Sequence, residues 1–153
     1  MKLSNYFRFS ANNRALVKAA IGGNLGKVEA ALRAGTDPDA RNRALKEAAF
    51  HGNTGIVRML LVEKIGMKAM PEPGWKFMAR SVFNAIPQGQ EKLDLDGALS
   101  MATLKGRTDA VKVLLEAGAN PNAERLGLME WAASANGLTE TVNAVHEARH
   151  HTI

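Results

Sequence analysis

The sequence predicts an all-α fold, a solenoid of stacked helical hairpins, and three observations support this prediction. Aromatic residues make up only 5% of the 153 residues, and runs of β-branched residues, which are typical of strands, are scarce. Alanine-rich stretches are broken by glycines at intervals. These stretches also resemble one another, and internal repetition of this kind indicates a row of similar structural units. The length suits a single domain.

Three segments share one sequence frame: an Ala-Leu pair, an alanine three residues later, a glycine, and then a valine ahead of a leucine pair or its equivalent. Residues 128–145, LMEWAASANGLTETVNAV, form a weaker fourth copy that begins at Leu128. The frame glycines are Gly23, Gly52, Gly106 and Gly137, so successive copies lie 29, 54 and 31 residues apart. Alanine favours helix and lets neighbouring helices lie close, while glycine supplies the left-handed conformation that ends a helix. A second helix with an apolar stripe follows. Each copy is therefore predicted to be a hairpin that buries its apolar face only against its neighbours.

The copies set the expected boundaries along the chain. We expect an N-terminal cap at 1–13, repeats at 14–42 and 43–65, an insertion at 66–93, a third repeat at 94–126, and a degenerate capping repeat with a tail at 127–153. Asp37-Pro38 and Asn120-Pro121 mark turns, because proline resists continuing a helix. The fourth copy has an extra residue around 134–136. Leu60 and Leu114 are predicted core residues of second helices.

The insertion accounts for the long 54-residue spacing. Apolar residues recur in it at helical spacing and predict a short amphipathic helix at about 75–86: Trp75, Met78, Val82, Phe83 and Ile86. Two interpretations stay open. The stripe could fill a gap between the second and third repeats, or the segment could help to bind a partner through Phe77 and Arg80, which lie off the stripe.

The second helix and the turn after it resemble those of a known family. Residues 111–122 read VKVLLEAGANPN, and the first copy has a similar run, LRAGTDPD, at 32–39. On these residues the chain resembles the ankyrin-repeat family. It departs from the family frame because no copy has the Thr-Pro-Leu-His opening, and because the first spacing is shorter than the usual 33 or so residues. The resemblance implies about four repeats and a protein-protein interaction module, acting as an adaptor, effector or inhibitor without catalysis.

The resemblance also implies where a partner would bind, namely on the turns that join one hairpin to the next, which we call finger turns, and on the inner face of the first helices. The residues expected there are Arg41, Asn42, Arg43 and Lys46 in the first two repeats, and Glu124 and Arg125 in the last two. Arginine suits this role because its planar group pairs with carboxylates and stacks on aromatic rings. The predicted partner is another protein, an acidic one if the basic residues take part.

The charge distribution supports a second hypothesis. The net charge is +5, but residues 1–70 hold twelve Lys and Arg against five Asp and Glu, and residues 71–153 hold eight against ten. Nucleic acid could therefore bind through the basic residues of 1–70, with Tyr6 and Phe7 available for stacking. The competing interpretations are a solvated basic surface, and an N-terminal segment that covers the open end of the first repeat.

Enzymatic chemistry has little support in the sequence. Cysteine is absent, which excludes thiolate metal sites and a cysteine nucleophile. Asp37/Asp39 and Asp94/Asp96 are interpreted as turn residues. His146 and His150 have the i,i+4 spacing of two metal ligands, so a metal-dependent enzyme is a third hypothesis, although no third ligand accompanies them. No catalytic, metal or cofactor-binding residue is predicted, and no cofactor.

The expected location is a cytosol, either the producer's or a host's. No apolar run approaches the roughly 20 residues of a membrane span. The N-terminus lacks the apolar stretch of a signal peptide. The absence of cysteine fits a reducing compartment. A monomer is favoured.

Overall fold

A computed structural model of the chain describes residues 3–62 and 93–151, with side chains from Ser10 onwards. Every regular element in these ranges is a helix, which confirms the all-α prediction. The helices are α1 (Leu3–Gly22), α2 (Leu25–Ala34), α3 (Pro38–His51), α4 (Thr54–Leu60), α5 (Leu95–Leu104), α6 (Thr108–Glu116), α7 (Leu126–Ala135) and α8 (Thr139–His151). They pair as the hairpins α1–α2, α3–α4, α5–α6 and α7–α8.

The hairpins stack in chain order. The first helices α1, α3, α5 and α7 contact one another consecutively, and the second helices α2, α4, α6 and α8 form a parallel row. Residues 61–94 separate α4 from α5 in the sequence, yet α3 contacts α5 and α4 contacts α6. The second and third hairpins therefore pack directly on each other, and the role of the insertion, as a filler or as a binding segment, stays untested. Its predicted helix at 75–86 lies outside the described residues.

Equivalent residues of successive hairpins fill the core. Leu16, Leu45 and Leu99 occupy the same position in α1, α3 and α5, and all three are 0% exposed. Small alanines are buried beside them and let the helices approach closely. Leu60 and Leu114, at 3% and 0% exposure, confirm the predicted register of the second helices.

The frame glycines end the first helices as predicted. Gly23, Gly52, Gly106 and Gly137 all have positive φ, between 66° and 74°, which is the left-handed region that favours glycine. At Gly52 a side chain would also lack room, because a Cβ atom there would lie 2.8 Å from Cδ of Arg107 in the next hairpin.

One side-chain position links each hairpin to the next finger turn. This position is held by Asn13, Asn42 and Asp96, whose Oδ1 atoms accept the backbone N–H groups of Asp37, Asp94 and Asn120 at 3.0, 2.6 and 2.7 Å. Asp37 and Asp94 in turn cap α3 and α5 by accepting backbone N–H groups at 2.8 and 2.9 Å. Asp37 and Asp94 are therefore turn residues, as the sequence predicted, whereas Asp39 and Asp96 lie in the first turns of α3 and α5.

Two expected boundaries differ from the helices. α1 runs unbroken from Leu3 to Gly22, so the backbone of the N-terminal segment continues the helix instead of folding across the open end of the first hairpin. The segment 3–21 contains no proline or glycine to turn it. The expected boundary at 42/43 falls inside α3, because Asp37 caps that helix and Pro38 begins it.

The structure also bears on membrane insertion. In the described ranges, no helix combines the length and apolar character needed to cross a bilayer.

Candidate functional site

Arg41 is buried rather than exposed. The residue is only 5% exposed, and its Nη1 atom donates hydrogen bonds to the carbonyl oxygen of Thr36 and to Thr36 Oγ1, the latter at 3.2 Å. The prediction that Arg41 contacts a partner from an exposed finger is therefore wrong, because this guanidinium closes the turn before α3 from inside. Its neighbour Asn42 is half-buried and accepts a hydrogen bond from the backbone N–H of Asp94, so it joins two hairpins.

Lys46 lies in an ion pair between the second and third hairpins. Its Nζ atom is 2.6 Å from Asp94 Oδ2, and both side chains are about half exposed. The hydrogen bond from Lys46 lowers the pKa of Asp94 below its ordinary value, and the backbone N–H of Gly97 lowers it further. A Cβ atom at Gly97 would lie 2.9 Å from Cε of Lys46, so glycine makes room for this pair.

The other predicted partner-binding residues have separate positions. Arg43 is exposed and borders an open groove of about 450 Å³ between α1 and α3. Glu124 and Arg125 are exposed in the turn before α7, and the charge of Arg125 also lowers the pKa of Asp94. Phe77 and Arg80 lie outside the described residues.

Sequence reasoning missed the two most exposed large apolar side chains of the described chain. Leu128 is 64% exposed and Trp131 is 70% exposed, and they lie one turn apart on α7. The predicted frame aligned Leu128 with the alanine that begins the Ala-Leu pair, and this alanine is buried in the second and third copies as Ala44 and Ala98. The structure leaves Leu128 in solvent.

The cause is a different register in the fourth hairpin. α5 and α7 each have ten residues, at 95–104 and 126–135, so a constant offset of 31 relates them and the predicted extra residue around 134–136 is wrong. This offset places Glu130 at the position where the first three hairpins bury leucine. The signal in the sequence was the same offset of 31 between Gly106 and Gly137.

Glu130 is compensated by residues of α8. It is 8% exposed, and its Oε1 atom lies 2.6 Å from Nη2 of Arg149. Arg149 Nε also donates to the carbonyl oxygen of Pro121 at 2.8 Å, which ties α8 to the turn before α7. His146 Nε2 lies 3.8 Å from the other carboxylate oxygen. A buried carboxylate needs such partners, because burying an unpaired charge is strongly unfavourable.

Two rows of equivalent positions follow from these registers. They run along the inner face, which we define as the surface of α1, α3, α5 and α7 opposite the second helices. One row is Arg14, Arg43, Gly97 and Leu128, and the other is Val17, Lys46, Ser100 and Trp131, in which Ser100 alone is buried. The inner face is therefore basic at the first two hairpins and apolar at the fourth.

The structure gives little support to the hypotheses of nucleic-acid binding and metal binding. The described basic residues of 1–70 are spread over both faces, since Arg43 borders the groove, Lys27 and Arg33 lie on α2, and Arg41 is buried. In the ranges 3–62 and 93–151, no three histidine or carboxylate side chains gather as a metal site would require. His150 is exposed.

Comparison with known proteins identifies one of the hairpins. The family model described as ankyrin repeat matches residues 95–125, which run from the start of α5 to the turn before α7. No curated protein and no solved structure matches the chain. In the part of the chain that the structure describes, the matched hairpin is one of four that stack in the same way, which is the architecture of an ankyrin solenoid.

Proposed function

We propose that this ankyrin-repeat protein binds another protein through its inner face, with Leu128 and Trp131 as the apolar anchor. Ankyrin repeats are generic protein-protein interaction modules. The observation that carries the proposal is the 70% exposure of Trp131 on that face. Tryptophan is enriched among the few residues that contribute most of the energy of protein interfaces.

The energetics of the fourth hairpin support the same conclusion. Burying a leucine side chain stabilises a fold by about 1.5–3 kcal/mol, and α7 gives up this gain at Leu128. It buries Glu130 instead, in an ion pair that apolar residues of similar volume often replace without loss of stability. The result is an apolar surface on a stack of hairpins, which is already formed before binding and so loses little conformational entropy.

We further propose that the protein acts by binding alone, as an adaptor, effector or inhibitor in a cytosol. Ankyrin-repeat proteins are generally non-enzymatic, which supports the first part. The absence of cysteine supports a reducing compartment. A monomer is expected in solution, with the apolar anchor left free for a different protein.

Affinity capture from the native cell tests this proposal. We expect partner proteins to be recovered with the wild type and to be lost with Trp131→Ala. The control is Lys112→Ala on the second helix α6, which should recover the same proteins. The two variants should melt at the same temperature as the wild type, because both side chains are exposed. Recovery of the same proteins with Trp131→Ala would contradict the proposal, and so would a wild-type dimer that Trp131→Ala dissociates.

A further inference from the structure

The groove between α1 and α3 has an apolar floor and a cationic rim. Val17, Ile21 and Ala40 contribute apolar surface, and Ile21 is 43% exposed. Arg14, Lys18 and Arg43 surround this surface with exposed positive charges. The groove lies on the inner face, at the opposite end from Leu128 and Trp131.

The three rim cations have no ion-pair partner in the part of the chain that the structure describes. Among the described residues, Arg14, Lys18 and Arg43 take part in none of the ion pairs, which involve other side chains. Two carboxylates line the same groove. Asp37 is occupied, since it caps α3 at Ala40 and accepts a hydrogen bond from Asn13. Asp39 lies in the first turn of α3, where the helix dipole favours negative charge.

We infer that this groove binds an acidic segment of the partner, while an apolar side chain of the same segment packs on Leu128 and Trp131. The inference rests on the proposed function and adds to it the chemistry of the partner. Carboxylates of the segment pair with the three rim cations, and its aliphatic atoms cover Val17 and Ile21. Charge complementarity with the groove therefore places the acidic part of the segment at the first two hairpins, and its apolar side chain lies at the fourth.

The geometry of the stack sets a minimum length for that segment. Packed helices lie about 8–10 Å apart, and two and a half such intervals separate the groove from α7, which gives roughly 20–25 Å. A fully extended chain advances about 3.3 Å per residue, so about seven residues are needed to cover this distance. The acidic stretch and the apolar anchor must therefore lie at least about seven residues apart in the partner.

Selection of peptides on the wild-type protein tests the inference. The probe is a displayed library of random 20-residue peptides. We expect the enriched peptides to contain a cluster of Asp and Glu and, at least about seven residues away, an aromatic or large aliphatic residue. Enriched peptides without an acidic cluster, peptides whose two parts are adjacent, or failure to enrich any peptide would each overturn the inference.

Charge reversal on the protein supplies the matched comparison. For an enriched peptide, Arg14→Glu with Arg43→Glu should weaken binding by at least about tenfold, because like charges are brought together in the contact. Lys27→Glu with Lys112→Glu makes the same change in net charge on the second helices, and should weaken binding by less than about threefold at physiological ionic strength. Equal effects of the two double variants would overturn the inference.

Trp131→Ala separates this inference from the proposed function. If Trp131→Ala abolishes peptide binding while the Arg14/Arg43 variant binds like the Lys27/Lys112 control, the inference fails and the proposed function stands. If Trp131→Ala binds the peptide as tightly as the wild type, both fail. Loss of binding in Trp131→Ala and in the Arg14/Arg43 variant, with the control intact, supports both.

Discussion

At the scale of single residues, Arg41 and Arg43 show how two similar neighbours take opposite roles. They are two positions apart on α3, so their side chains point about 200° apart around the helix axis. Arg41 is directed inward and bonds Thr36, whereas Arg43 is directed toward the groove. Sequence reasoning placed both on the binding surface, because an arginine pair beside a turn carries no sign of which one is buried.

The first prediction concerns this pair. Arg41→Glu should lower the free energy of unfolding by about 2–4 kcal/mol, because it removes a buried donor to Thr36 and buries a carboxylate in its place. Arg43→Glu should change it by less than about 0.5 kcal/mol, since Arg43 is exposed. Urea denaturation of the two variants measures the difference. Equal destabilisation would show that Arg41 is not directed inward.

The second prediction concerns pH. The pKa of Asp94 is lowered from 3.8 in the folded protein by the hydrogen bond from Lys46, so the unfolded chain binds this proton more readily. The stabilisation is therefore complete above pH 3.8 and is lost as the pH falls through the folded value. Because the pair is about half exposed, its contribution is below about 1 kcal/mol.

Asp94→Asn should accordingly be less stable than the wild type at pH 7, and the difference should shrink as the pH falls below 3.8. Asparagine keeps the cap of α5, because its amide oxygen still accepts a hydrogen bond. Urea denaturation over a pH series measures the difference, and in the background of Lys46→Gln, the control, it should be smaller at pH 7 because the main cause of the lowered pKa is gone. A difference in the free energy of unfolding that grows as the pH falls would have the opposite sign and would contradict the prediction.

At the scale of elements, the first three hairpins and the fourth differ in how far the sequence predicts them. The leucine at Leu16, Leu45 and Leu99 repeats with the frame, so periodicity locates the core of α1, α3 and α5. In α7 the same position holds Glu130, whose partner Arg149 lies on α8. Periodicity cannot reveal a buried ion pair between two helices, so the pattern aligned Leu128 with the core and missed the apolar surface.

The third prediction tests the α7–α8 pair. Arg149→Ala should destabilise the protein by about 2 kcal/mol or more, because it leaves the buried Glu130 carboxylate without its main partner. Glu130→Leu restores the residue type of the other hairpins and should cost less, because Arg149 is only partly buried and still donates to the carbonyl oxygen of Pro121. Chemical denaturation compares the two variants. A larger loss for Glu130→Leu than for Arg149→Ala would mean that Glu130 is not in the core position.

At the scale of the whole molecule, the inner face changes from basic at the first two hairpins to apolar at the fourth. The sequence predicts the basic half from composition alone, since residues 1–70 hold the excess of Lys and Arg. It does not predict that Arg14, Lys18 and Arg43 surround one groove, because this requires α1 and α3 to be packed side by side. Direct contact of α3 with α5 then carries the inner face across the position of the insertion.

The most direct test of this account is the accessibility of Trp131 to a neutral quencher. Trp75→Phe leaves Trp131 as the one tryptophan of the chain. Acrylamide should then quench the fluorescence of the folded protein nearly as strongly as that of the unfolded chain, because Trp131 is 70% exposed on the inner face. Weak quenching in the folded state that rises sharply on unfolding would show that Trp131 is buried, and would contradict both the register of α7 and the binding surface built on it.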